Sequence, residues 1–113
     1  MSSLSSSKPF EVIRWDAPKK PTAELLTRWL VADGLDVETV TFPVGEKTQE
    51  LRYVAKQVRI VVSGHLQYAF PGYGVVELYP GDQLNIEANI LYDVSNPDGV
   101  EAVLLKASDL SEI

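Results

Sequence analysis

The side chains in this chain that could do chemistry are few, and their shortage is informative. There is one histidine, His65, and no cysteine. A metal centre of the imidazole–carboxylate kind needs several such ligands meeting at one point. One protomer therefore cannot supply two histidines and a carboxylate, and neither a thiolate site nor a disulfide framework is available. What remains is phenols, amides and a guanidinium spaced among glycines: Gly45, Leu51, Tyr53, Gln57, Arg59 and Gly64, then Gly81, Glu87, Asn89, Tyr92 and Asn96. A tyrosine titrates near pH 10, so Tyr53 or Tyr92 could donate a proton only beside a neighbour that lowers that value. Arg59 is permanently charged, and if buried it requires either an internal acid or a bound anion.

The elements that would position these groups are mostly strands. Phe10 to Trp15 reads as a short strand, broken by Pro18-Lys19-Lys20-Pro21. Thr22 is a good N-cap, Glu24 suits the first turn and Gly34 suits the position after a helix. Between them Leu25, Leu26, Trp29 and Leu30 form an apolar stripe, which predicts an amphipathic helix over 23–33 with Trp29 in the core. From Asp36 onward short apolar runs are punctuated by turn residues. The predicted strands are Val37–Phe42, Leu51–Val54, Gln57–Val62, Leu66–Phe70, Val75–Leu78, Ile90–Val94 and Val100–Lys106. Asn96-Pro97-Asp98-Gly99 reads as a hairpin-type loop between the last two. The fold class is all-β, a sandwich or barrel with one N-terminal helix.

Composition narrows the function classes. The 113 residues carry a formal net charge of −6, and the basic residues are scattered, which argues against a nucleic-acid partner. Lys19-Lys20, between prolines, reads as a solvated loop. No apolar run approaches the ~20 residues that a membrane span requires. The serine-rich start has neither a basic head nor an apolar stretch, so residues 1–9 are expected to be a flexible leader and the compartment the cytoplasm. Residues 10–113 then form one domain, with the barrel over about 36–107.

The two glycine frames carry a resemblance. Gly45, Leu51, Tyr53, Gln57 and Gly64 keep the spacing of the first cupin motif, and Gly81, Glu87, Asn89, Tyr92 and Asn96 keep that of the second, with 16 residues between them. Pro80-Gly81-Asp82 with Ile86 resembles the turn that opens the second motif, and Val61-Val62-Ser63-Gly64 the strand end that closes the first. The chain from about Val37 to Lys106 thus resembles the cupin superfamily, which implies a jelly-roll β-barrel. Where the family usually places three histidines and a glutamate, this chain has Leu51, Tyr53, Tyr92 and Gln57. Glu87 also replaces the usual proline, and Asn89 the usual glycine. The resemblance therefore implies the scaffold without the metal chemistry, and no cofactor is expected.

If Gln57 points into the barrel as the resemblance implies, strand alternation turns Arg59 and Val61 inward too. Val58, Ile60 and Val62 then face outward and need cover from the helix, the first strand or a second subunit. Cupins commonly pair through sheet faces, and twofold dimers are the commonest oligomers, so a homodimer is expected. Three functional readings stand side by side. Tyr53, Gln57, Arg59 and Tyr92 could line a pocket for a small, possibly anionic, organic ligand. Tyr92 and Tyr53 could serve a metal-independent isomerase- or cyclase-like reaction. Alternatively the barrel is filled, with Leu51 as a plug, Gln57 bonded to the tyrosine hydroxyls and Arg59 reaching the rim, and the outer surface serves as an interaction module. Asp82, Asn96 and the motif glycines are assigned to turns and His65 to a hydrogen-bonded role.

Overall fold

Prolines and glycines cut the chain into short strands that pair over long sequence distances. The computed structural model describes residues 8–17, 21–32, 34–51 and 53–109, with the backbone alone for 49–51. In order these form β1 (Phe10–Ile13), α1 (Ala23–Ala32), β2 (Val37–Phe42), β3 (Lys47–Leu51), β4 (Lys56–Ser63), β5 (Leu66–Phe70), β6 (Gly74–Leu78), β7 (Gln83–Ile86), β8 (Tyr92–Ser95) and β9 (Ala102–Asp109). Two antiparallel sheets result, with strand orders β1-β7-β4-β9-β2 and β3-β8-β5-β6. They enclose one apolar interior that includes Phe42, Val61, Leu66, Phe70, Leu84, Ile86 and Leu104. This is a jelly-roll sandwich with one helix on its outside: the residue pattern led to a sandwich or barrel with a helix, and the cupin resemblance to the jelly roll.

A second, smaller core lies between α1 and the five-stranded sheet. Leu26 and Leu30 of α1 pack against Val58, Ile60, Leu105 and Ala107. Burying each leucine contributes about 1.5–3 kcal/mol. The helix begins as predicted: Leu25 N donates to Thr22 Oγ1 at 3.2 Å. It ends in a Schellman turn, with Gly34 at φ +83° and Leu35 N donating to the Leu30 carbonyl at 3.1 Å. The outward face of β4 is thus covered within the chain, at Val58 and Ile60, by the first of the covers considered. Trp29 departs from expectation. It is 50% exposed and leans on Trp15 with ring centroids 5.5 Å apart, because the stripe that meets the sheet centres on Leu26 and Leu30.

Several strand expectations also shift. The strand placed at Leu51–Val54 lies earlier, at Lys47–Leu51, so Tyr53 falls in the connection before β4. One strand lies outside those expected: β7, where Leu84 and Ile86 alternate with Gln83 and Asn85, pairs on both sides, with β1 and β4. The loop at Asn96–Gly99 does not close a hairpin. β8 and β9 belong to different sheets, and this loop crosses between them. Asn96 fastens the crossing, its Nδ2 donating to the carbonyls of Phe42, Pro43 and Val100 and its Oδ1 accepting from Asp98 N.

The motif turns need their residues for identifiable reasons. At Gly81, φ is +92° and a Cβ would collide with the Trp15 ring. Asp82 beside it accepts from Trp15 N, Tyr79 N and Arg14 Nη1. Of the leader, residues 1–7 lie outside the described region. Pro9 is already buried, and its carbonyl accepts from Glu87 N at 2.8 Å. Among the described residues no helix is long and apolar enough to cross a membrane.

Candidate functional site

The inward alternation of β4 holds: Val61 joins the inter-sheet core while Val58 and Ile60 join the core under α1. Arg59 is therefore carried between the sheets and is only 2% exposed. Its Nη1 donates to the Val58 carbonyl at 3.1 Å and weakly to that of Ala107 at 3.4 Å. Its Nη2 reaches Tyr92 Oη at 3.4 Å. Tyr53 is placed by a turn residue. Asn89 adopts φ +61°, the left-handed conformation that asparagine tolerates better than most side chains. From there its N–H donates to the Tyr53 carbonyl at 2.7 Å. The asparagine at the motif's glycine position thus keeps the backbone shape that the turn demands.

Two residues missing from the sequence reading complete the site. Tyr68 on β5 is buried in contact with Tyr92, ring centroids 5.7 Å apart. Lys106 on β9 donates from Nζ to Tyr53 Oη at 3.2 Å. Both follow from alternation: Tyr68 lies between the inward Leu66 and Phe70, and Lys106 shares the parity of Ala102 and Leu104. Together Arg59, Lys106, Tyr53, Tyr68 and Tyr92 surround a cavity of about 200 Å³ whose apolar walls include Phe42 and Leu104. The guanidinium carbon lies 5.5 Å and the ammonium 5.3 Å from the centroid of the Tyr53 ring, within cation–π range.

Gln57 is not part of this cluster. Its Nε2 donates to Ser108 Oγ at 2.9 Å and to the carbonyls of Ala55 and Lys56. Its buried Oε1 has no hydrogen-bond partner among the described residues. Gln57 instead borders a separate groove of about 500 Å³, with Glu11, Lys56, Asn85, Glu87, Asp109 and Leu30 on its walls. The filled-barrel arrangement fails here in two details: Gln57 does not bond the tyrosine hydroxyls, and Arg59 does not reach the rim. The Leu51 side chain lies outside the described region, and only its backbone pairing opposite Tyr92 is placed.

His65 stays away from the cavity. It stacks on Tyr79 with ring centroids 4.5 Å apart, and its Nδ1 lies 3.3 Å from Asp98 Oδ1. Its Nε2 stands 2.8 Å from a Glu77 carboxylate oxygen, off the line that a hydrogen bond needs. Among the described residues no group of three or more His, Cys, Asp or Glu side chains could hold a metal ion.

The buried part of the cavity carries two cations, and Glu46 stands exposed at its border. Among the described residues no carboxylate forms an ion pair with Arg59 or Lys106. Burial pushes the Tyr92 phenol above its ordinary pKa, and Arg59 offsets part of that rise. Burial raises Tyr68 further. Both phenols therefore stay protonated at neutral pH. Tyr92 Oη and Tyr53 Oη accept from the two cations, so their own protons point elsewhere. The polar groups of Arg59, Lys106 and the three tyrosines thus form a donor-rich lining between apolar walls.

The sequence matches no family model and no curated protein. Solved structures do resemble it. A cupin 2 domain-containing protein from Halorhodospira halophila is 16% identical, with a TM-score of 0.68 over 90% of this chain and 78% of that one. A cupin superfamily protein from Desulfitobacterium hafniense is 13% identical, TM-score 0.59, over 88% and 75%. A cupin domain from Bordetella pertussis is 19% identical, TM-score 0.54, over 88% and 91%. The fold is that of the cupins. At such identities the likeness extends to the fold alone, and the chemistry must be argued from this chain's own residues.

Proposed function

We propose that this cupin-fold chain is a binding protein for a small acidic organic molecule, held between the sheets with its acid group on Arg59. One observation carries the reading: a guanidinium 2% exposed borders a cavity, with no ion-pairing carboxylate among the described residues. A buried charge without a partner costs several kcal/mol, and a bound anion removes that cost. The phenolic O–H groups of Tyr53 and Tyr92 add donors that an acceptor-rich guest can use. The volume, about 200 Å³, is below the ~300 Å³ at which drug-sized pockets begin, so the guest is small.

The upward pKa shift at Tyr92 favours binding over acid–base catalysis. A general acid works best with a pKa near the operating pH, and burial moves this phenol the other way. Tyr92 and Tyr53 are accordingly assigned to hydrogen bonding with the guest, and His65, stacked on Tyr79 away from the cavity, is assigned no part in it.

Thermal denaturation with a panel of small carboxylates and sugar phosphates tests the reading. A ligand at 100 times its Kd stabilises the native state by about 2.7 kcal/mol, so an acid that fits should raise the melting temperature by several degrees. Arg59→Leu should still fold, because it removes a buried charge that has no ion-pairing carboxylate among the described residues and leaves no opposite charge stranded, and it should lose the shift. A wild-type chain whose melting point no acid raises would end the proposal.

A further inference from the structure

The pairing of β4 with β9 sets Arg59 directly opposite Lys106. Residues in that relation have Cβ atoms about 5 Å apart on one face of the sheet, and like charges there repel. Such a pair in a largely buried position calls for compensation. Glu38, opposite Lys106 on the edge strand β2, is exposed and forms no ion pair with it; the ammonium turns instead to Tyr53 Oη, 3.2 Å away. The face of the Tyr53 ring, 5.5 Å from the guanidinium carbon and 5.3 Å from the ammonium, compensates both cations only in part.

We propose that the guest is a small organic dianion, a dicarboxylate or a phosphate monoester, whose two negative charges are shared between Arg59 and Lys106. This rests on reading the cavity as an anion site and adds the charge class of its occupant. A monoanion neutralises one cation and leaves the other facing its like-charged neighbour. A dianion relieves both, and its few-carbon body fits against Val40, Phe42, Val94 and Leu104, which line the same space. Glu46, exposed at the border of the cavity, disfavours longer acids that would bring a carboxylate outward beside it.

Titration calorimetry on the full chain at constant ionic strength tests this with three matched probes: succinate, propyl phosphate and butyrate. A hydrogen bond to a charged group contributes about 1.5–3 kcal/mol, so the better dianion should bind roughly tenfold tighter than butyrate or more. Which of succinate and propyl phosphate binds tighter identifies the acid class. Lys106→Met should erase the preference, the dianions losing more affinity than butyrate does. Butyrate binding as tightly as both dianions would overturn the dianion and leave the Arg59 site standing, whereas no binding by any probe would remove both. A Lys106→Met chain that keeps the preference would also overturn it. Should that variant fail to fold, the wild-type ranking decides alone.

Discussion

The two faces of β4 follow opposite rules. Outward, Val58 and Ile60 meet Leu26 and Leu30 of α1 in a packed apolar layer. Inward, the same backbone carries Gln57, whose amide oxygen has no partner among the described residues, and Arg59, opposite a second cation. The outer face is locally consistent: each side chain suits its surroundings and stabilises the fold. The inner face breaks the rules of polar satisfaction and charge pairing at neighbouring positions. Such violations are expected where function outweighs stability. On that contrast the outer face is structural, and the inner face is where the proposed ligand would sit.

The contrast can be broken by mutation. Leu30→Ala removes a buried side chain, 3% exposed, from the outer layer and should cost about 2–5 kcal/mol in denaturant unfolding. A loss below about 1 kcal/mol would mean that α1 is only loosely docked. Lys106→Met on the inner face should do the reverse. Without ligand it removes a cross-strand repulsion and should raise stability by up to ~1 kcal/mol, read as a higher melting temperature. A clear loss instead would show that the lysine is structurally satisfied as it stands.

The smallest effect concerns pH. Because the Tyr68 and Tyr92 phenols are raised by burial, the unfolded chain releases these protons first as pH climbs. The stability they contribute is complete below about pH 10, the unfolded tyrosine value, and falls as pH rises beyond it. Tyr92→Phe should flatten that alkaline decline. A wild-type stability profile that stays level between about pH 9 and 11 would count against the burial assigned to these rings.

Legibility varied residue by residue. Arg59 was readable as inward because alternation along β4 is local and the resemblance supplied the phase. Lys106 obeys the same parity along β9, yet nothing local announced that β9 lies beside β4. Tyr68 was equally accessible, flanked by two apolar residues of its own parity, and was passed over because it lies outside both glycine frames. Gln57 was placed in the right strand and on the right face, but the pocket assignment does not follow. Its amide is drawn to Ser108 on β9 and to nearby carbonyls, partners that depend on strand register. The Asn96–Gly99 turn misled in another way: its residues specify a change of direction and do not specify which sheet the chain enters next.

By itself the sequence determined the strand-rich class, the capped helix, the turn glycines and the scarcity of metal-binding side chains, because these depend on residue type and short-range period. Only the tertiary structure decided that α1 covers Val58 and Ile60, that Trp29 stays half outside, and that a lysine faces Arg59 beside three phenols. Those outcomes depend on which distant strands become neighbours and in what register. Pairing of that kind is settled by the burial of whole faces, not by any single segment.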